Sequence, residues 1–218
     1  MTPTVAVRGE VTREVAPEIA TVSVSVAASD RERTPTLTLL SERAAALGVL
    51  LDEYDGAIER RETSGLWVYP VTKGPAERVT GYRGSVSLNV TVTDFTVLGD
   101  LVLRLADQDQ ATVSGPHWAL RPDSGVYRQA RHDAIADALV RAREYAEALG
   151  SRVVSLIELA DTGLSGQHPE GSPVALGGGM RTMMAGAAPS LDLEPRLQWI
   201  HASVEARFAI TDPPSLAG

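Results

Sequence analysis

The chain has 218 residues, a formal net charge of −8 and no cysteine. Lys+Arg 20 against Asp+Glu 28 argues against nucleic acid or an anionic membrane as the partner, because those partners select a basic surface. The lack of cysteine excludes disulfides, zinc–thiolate sites and thiol catalysis. A chain of this length buries roughly 70% of its unfolded surface, enough for one large domain or two small packed lobes.

Two strands are predicted near the N-terminus, because apolar and polar residues alternate there. Val5, Val7 and Val11 recur among polar neighbours, and the segment 20–26 places valine on one face and Ser/Thr on the other. Period two is typical of a half-buried strand. Pro17 lies between the two segments, where no ladder N–H is needed.

The pattern then changes to a helical period between Thr34 and Tyr54. Six residues spaced alternately by three and four lie on one stripe, which we interpret as the core face of a helix on a sheet. A coiled-coil partner face is the alternative, and a single stripe of three heptads favours it less. The stripe consists of Leu37, Leu40, Ala44, Leu47, Leu51 and Tyr54.

Strands follow at 66–71 and 85–93, the second with a face of Ser, Thr and Asn opposite valine and leucine. Asp94 is typical of the N-cap of a helix, here a short one that continues through Leu105. A further strand is expected near 111–120.

A long helix is predicted from Asp123 or Ser124, as the cap, to Leu149, with Gly150 as its stop. The abundance of alanine predicts a close approach between this helix and a sheet. A strand follows at 153–160. The apolar side of the helix is expected to contain Val126, Ala130, Ala134, Leu139, Ala142, Tyr145, Ala146 and Leu149.

The segment 163–195 is rich in glycine and proline and has no sustained period, so it is predicted to be a long flexible loop. A last strand is expected at 202–208, before a tail at 213–218. The order ββ-α-ββ-α-β-α-β-loop-β predicts an α+β fold with mainly antiparallel sheets and helices packed on one face. Residues 1–212 are expected to form a single domain, or two packed lobes.

This order resembles the SIMPL family, formerly a domain of unknown function. The resemblance implies oligomeric, ring-like assembly, a loose association with stress responses and no agreed catalytic residues. Glu18 stands where the family usually has Asp, and the secretory leader common among bacterial members is absent from this sequence. The residues that carry the resemblance are Val7-Arg8-Gly9-Glu10, Ala16-Pro17-Glu18-Ile19-Ala20, Gly81-Tyr82-Arg83, the segment 94–101, and the alanine-rich 130–149 with Gly150 and a Val-Val strand.

No constellation of catalytic or metal-binding residues is predicted. His132 and Asp137 are five apart on the long helix and diverge around it, so they do not converge on one ion. Ser124 and His132 are two turns apart, and Ser124 is better explained as a cap. The triple glycine at 177–179 lacks the strand and the Gly-Lys-Ser/Thr ending of a phosphate loop.

The leading hypothesis is therefore a non-enzymatic interaction or assembly protein that forms a homo-oligomer, without cofactor, metal, nucleic acid or membrane span. The alternative is a small-ligand-binding module in which the loop 163–195 closes as a lid. Because no apolar leader precedes the first strand, a cytoplasmic location is expected. The expected ligand or contact surface consists of Trp67, Met180, Met183, Met184 and Trp199.

Overall fold

The computed structural model describes residues 2–73, 78–163 and 191–214. The strands are β1 (Thr4–Val15), β2 (Ile19–Asp30), β3 (Ile58–Lys73), β4 (Arg78–Val92), β5 (Ala111–Ala119), β6 (Val153–Asp161) and β7 (Gln198–Ile210). The helices are α1 (Arg33–Asp52), α2 (Leu98–Ala106) and α3 (Gly125–Ala148), with a 3-10 turn at Phe95–Val97. The predicted order of elements and the α+β class are confirmed. Most of the predicted loop, residues 164–190, lies outside the described residues.

The described residues divide into two compact units. Unit 1 contains residues 2–15, 122–163 and 198–214, with a three-stranded sheet in the order β1-β7-β6 and helix α3. Unit 2 contains residues 16–73, 78–121 and 191–197, with a four-stranded sheet in the order β3-β4-β2-β5 and helices α1 and α2. Every strand pair is antiparallel.

The core of unit 2 follows from the alternation in β2. Its even-numbered residues from Ala20 to Ala28 are buried, whereas Thr21, Ser23 and Ser25 between them are half-buried on the opposite face. Period two therefore sets which face of the sheet receives α1 and α2. The residues of this core that lie on β2 and the two helices are Ala20, Val22, Val24, Val26, Leu47, Leu50, Leu51, Leu98, Leu101 and Leu105.

The predicted stripe of α1 is correct at Leu40, Leu47 and Leu51 but wrong at its N-terminal end. Leu37 is exposed, and Thr36 is buried in its place. Thr36 lies one full turn before Leu40, and its hydroxyl donates to the carbonyl of Glu32 at 2.9 Å. Because that hydrogen bond satisfies the hydroxyl, a polar residue is tolerated in the core.

The polar face expected for β4 is also partly wrong, because Ser85 and Thr91 are buried. The hydroxyl of Ser85 donates to the carbonyl of Val26 at 3.0 Å, which compensates its burial. Gly81 and Gly84, on the same strand, lie where a Cβ would meet Asp30 O and Leu40 Cδ1 at 2.8 and 2.7 Å. The close approach of β4 to Asp30 gives a physical reason for glycine at position 81. Gly81 is also one of the residues on which the resemblance to the SIMPL family rests.

Helix α3 buries alanine alone, in a stripe spaced by four residues. The expected caps are confirmed: the side chain of Ser124 accepts from the backbone N–H of Val126, and Gly150 follows the helix with φ of +67°. Tyr145 and Leu149, expected on the apolar side, are exposed instead. The buried stripe consists of Ala130, Ala134, Ala138, Ala142 and Ala146.

The reason for this stripe is the approach of α3 to β1 at Gly9. A Cβ at Gly9 would lie 1.9 Å from the carbonyl oxygen of Ala134 and 2.6 Å from the backbone nitrogen of Ala138, so no other residue fits without backbone movement. Asp137 accepts from the backbone N–H of Glu10 at 2.9 Å on the same side of the helix. Larger side chains than alanine would hold the helix too far from the strand for these contacts.

Replacing Gly9 by alanine is expected to lower the free energy of unfolding by about 3 kcal/mol, because the new methyl group overlaps the backbone of α3. Gly48→Ala is the matched control. Gly48 lies within α1, and no atom lies within 4 Å of the point where a methyl group would be added. The substitution should raise the free energy of unfolding by about 1 kcal/mol through helix propensity. Urea unfolding followed by circular dichroism measures both changes. Equal stability of the Gly9→Ala variant and the wild type would contradict the proposed packing.

Candidate interaction surfaces

The sequence-predicted contact residues fall on both units. Trp67 lies on β3 in unit 2 and is 47% exposed, and its ring stacks on Tyr69 with 5.1 Å between centroids. Trp199 lies at the start of β7 in unit 1, opposite Glu14 of β1, and is 67% exposed. Met180, Met183 and Met184 lie outside the described residues. The two tryptophans are thus available for contact, each within its own unit.

Around Trp67, β3 presents an apolar surface at the edge of its sheet. Since β3 pairs only with β4 among the described strands, its other backbone edge is unpaired there. We call this the β3 surface. It consists of Trp67, Tyr69 and Val71 on one face of β3, Leu66 on the other face and Val79 on β4, all of them exposed.

A second apolar surface lies on β6, which the sequence predicted as a strand without indicating its position at a sheet edge. Four of its nine residues are large, apolar and between 45 and 64% exposed. We call this the β6 surface: Val154, Leu156, Ile157 and Leu159.

Two register shifts in the pairing with β7 explain why so many apolar residues of β6 are exposed. The register shifts between Val153 and Ser155 and again between Leu156 and Glu158, so Val154 and Ile157 are extra residues on β6. Leu156 and Leu159 lie opposite Phe208 and Ala206, on the face toward α3.

The two edges of the same sheet differ in chemistry. β1, the other edge strand, carries alternating charges on its outer face, and Arg8 pairs with Glu205 of β7 at 3.2 Å. Charged residues on an edge strand oppose pairing with another chain. β6 contains neither Lys, Arg nor Pro. Its charged residues are Glu158, which forms an ion pair with Arg207 of β7 at 3.6 Å, and Asp161 at its end, so β6 lacks only the basic residues that β1 carries.

Helix α3 leaves a groove beside β6. The groove has a volume of about 430 Å³, and α3 contributes Ile135, Leu139 and Arg143 at successive turns. The opposite wall comes from β6 and β7 and is apolar apart from Ser155. Its apolar residues are Val153, Val154, Leu156, Leu159, Ala206 and Phe208.

The ionisable groups with shifted pKa values lie mainly where α1 meets α2. Arg104 donates to Glu53 Oε2 at 2.8 Å and to the Tyr54 hydroxyl at 3.0 Å, and that hydroxyl donates to Asp100. Hydrogen bonding and charge attraction from Arg104 lower the pKa of Glu53, whereas burial and the hydrogen bond to Asp100 raise the pKa of Tyr54. Each group is held in its ordinary charge state at neutral pH, which is the behaviour of a structural cluster rather than an acid–base pair.

The polar residues of α3 that the sequence singled out are held against β1 or lie in solvent. Asp133 forms an ion pair with Arg13 at 2.5 Å, Asp137 binds the backbone of Glu10, and His132 is exposed. Within the part of the chain that the structure describes, no group of three or more His, Asp or Glu side chains is placed to hold a metal ion. Asp133 and Asp137 therefore hold α3 against β1.

Glu18 has a structural role that the sequence alone did not indicate. Its Oε2 accepts from the backbone N–H of Arg121 at 2.9 Å, and its own N–H donates to the carbonyl of Ala119. The carboxylate thus fixes the end of β5 against the start of β2. Glutamate performs this function here, at the position where the resemblance leads one to expect aspartate.

The family model described as "SIMPL: Protein of unknown function (DUF541)" matches residues 5–208. The 26 kDa periplasmic immunogenic proteins of Brucella melitensis and Brucella abortus are each 29% identical over 202 residues, which is 84% of this chain and 74% of the relative. A crystal structure of a Burkholderia cenocepacia protein described as an amidohydrolase/peptidase is 12% identical, with a TM-score of 0.25, and covers 61% of this chain and 34% of its own. That score is too low to support an argument.

The two Brucella relatives are named as periplasmic, so they do not support the cytoplasmic location expected from the sequence. None of the helices in the described residues combines the length and the apolar character needed to cross a lipid bilayer.

Tyr54→Phe is expected to lower the free energy of unfolding by about 1 kcal/mol at neutral pH, because one hydroxyl links Arg104 and Asp100. The folded state raises the pKa of Tyr54. The wild type is therefore more stable than Tyr54→Phe below pH 10, and this advantage is lost as the pH rises through the pKa of Tyr54 in the folded protein. Thermal unfolding from about pH 7 to about pH 11.5 measures this. The exposed Tyr145→Phe is the control, and an identical loss in both variants would refute the role of the cluster.

Proposed function

We propose, from the premise that the chain belongs to the SIMPL family, that it is a non-enzymatic assembly protein whose working form is a homo-oligomer. The observation that carries this proposal is the pair of apolar surfaces on edge strands, the β3 surface in unit 2 and the β6 surface in unit 1. Soluble monomers rarely leave contiguous apolar surface on an open strand edge, because such an edge pairs with other chains.

The chemistry of the polar residues supports a non-catalytic role. Several polar groups connect one element to another: Glu18 binds β5, Asp137 binds β1, and Arg104 binds the end of α1. The groups with shifted pKa values are stabilised in their ordinary charge states. An acid–base catalyst would instead need a pKa moved toward the working pH.

The proposal also includes a cellular location, the periplasm, and an association with stress responses. The names of the Brucella relatives favour a periplasmic location in place of the cytoplasmic one. The association with stress responses rests on the family resemblance alone.

Ligand binding is the second candidate function, and the groove between α3 and β6 favours it. Its volume of about 430 Å³ lies within the range of small-molecule sites, and Arg143 is the one charged residue among those that line it. This groove differs from the site expected from the sequence, which relied on the two tryptophans and the predicted lid. Native mass spectrometry of freshly purified protein distinguishes the candidates, since a retained small mass on a 23.1 kDa monomer would favour ligand binding.

We expect the protein to be larger than a monomer at micromolar concentration and moderate salt. An obligate interface buries about 2,000 Å² or more, so the assembly should survive dilution. Salt should strengthen it slightly by screening the repulsion between copies that each carry a charge of −8. Light scattering behind a sizing column gives the mass. One species at 23.1 kDa, unchanged on tenfold concentration, would exclude the assembly proposal.

A further inference from the structure

We infer that a second copy of this chain pairs antiparallel with the open edge of β6, so that two unit 1 sheets form one six-stranded sheet. This inference rests on the proposed function, and it specifies the surface and the geometry of one contact. The evidence comes from three features of β6: its unpaired backbone edge, its apolar side chains and the charges at its two ends.

The backbone edge is the first feature. Among the described strands β6 pairs with β7 alone, and the pairing extends over most of its nine residues. The opposite edge therefore presents backbone N–H and C=O groups that no described strand pairs, in a run interrupted at the extra residues Val154 and Ile157. A second β6 running in the opposite direction satisfies these groups with its own, because a two-fold axis makes the edge self-complementary.

The apolar side chains are the second feature. Leu156 and Leu159 project toward the α3 face, where Ile135 and Leu139 form the far wall of the groove. A strand added beside β6 would bring its own Leu156 and Leu159 over the same face. The groove would then become the seam between two α3 helices, lined by leucine and isoleucine from both copies.

The charges give the direction of pairing. Helix α3 and β6 are joined by residues 149–152 and run in opposite senses, so Arg143, near the end of the helix, lies beside the start of β6. Asp161 ends β6, opposite Val204, whose side chain packs on the α3 face. Asp161 therefore shares that face, since directly opposed residues point the same way.

In an antiparallel pair the end of one β6 lies beside the start of the other. Asp161 of each copy would consequently approach Arg143 of the other, which places two reciprocal ion pairs at the ends of the apolar seam. Within the described residues neither Arg143 nor Asp161 has an ion-pair partner. A parallel arrangement would instead bring Asp161 near Asp161 and is disfavoured by repulsion.

Cysteine cross-linking tests the geometry, and the absence of native cysteine makes each single variant unambiguous. The proposed pairing brings Asp161 of each copy opposite Val153 of the other, which puts the two-fold axis at Ile157, the middle residue of Val153–Asp161, and places Ile157 beside its own copy. The Cα separation of opposed antiparallel residues, about 5 Å, is within disulfide range. Ile157→Cys should therefore form a disulfide dimer rapidly under mild oxidation at micromolar protein.

Val154→Cys is the matched control. Val154 is more exposed than Ile157, at 64% against 51%, but the axis separates its two copies by about 20 Å along the strands. Random collision would cross-link both variants, with the more exposed one at least as fast. Cross-linking of Ile157→Cys no faster than Val154→Cys would overturn the inference.

A charge-reversal cycle provides the second test. Arg143→Asp and Asp161→Arg should each weaken the association at least about tenfold, because each places like charges at both ends of the seam. The double variant Arg143→Asp/Asp161→Arg should recover most of the affinity, measured by light scattering over a dilution series. Equal weakening in the double and single variants would exclude the reciprocal pairs.

The outcomes separate this inference from the proposed function. A wild-type oligomer that keeps its mass in the single charge variants, and in which Ile157→Cys gives no preferential dimer, would support assembly through another surface and reject the β6 contact. A wild-type monomer that also fails to cross-link would reject both. Preferential cross-linking of Ile157→Cys together with recovery in the double variant would support both.

Discussion

The packing of α3 on β1 at Gly9 is the constraint on which the rest of unit 1 depends. The two backbones are in direct contact there, because the carbonyl of Ala134 and the amide of Ala138 occupy the space that a Cβ at Gly9 would need. This contact requires glycine on the strand and alanine on the helix. It also brings Asp133 and Asp137 within reach of Arg13 and the Glu10 amide, so polar contacts on the same helix reinforce the position set by close packing.

The same constraint explains why the α3 face of β6 remains partly uncovered. Because the buried stripe of α3 is alanine, the helix packs close to β1 and β7. It has no long side chains on that stripe that could cover β6. Its larger apolar residues, Ile135 and Leu139, turn toward the groove, which they leave partly unfilled. Leu156 and Leu159 are exposed on the α3 face for this reason, whereas the register shifts account for the exposure of Val154 and Ile157.

The order and type of the elements could be predicted because alternation in β2 and β4 and the stripe in α1 are strong local signals. Local pattern did not distinguish Thr36 from Leu37, since a hydrogen bond to Glu32 decides which is buried. Local pattern also predicted, wrongly, that Tyr145 and Leu149 are buried. The side of α3 that is buried is set by its contact with Gly9, which is more than a hundred positions away in the sequence. The edge position of β6 gave no local signal either, because it results from β7 pairing with β1 across the length of the chain.

Amide hydrogen exchange at two protein concentrations tests the central claim, that the open edge of β6 is where copies meet. Backbone amides of Val153–Asp161 should exchange more slowly at high concentration, because they become paired in the assembly. Amides of the charged edge strand β1 should exchange at the same rate at both concentrations. Concentration-independent exchange in β6, in a sample whose mass shows it to be oligomeric, would contradict this claim.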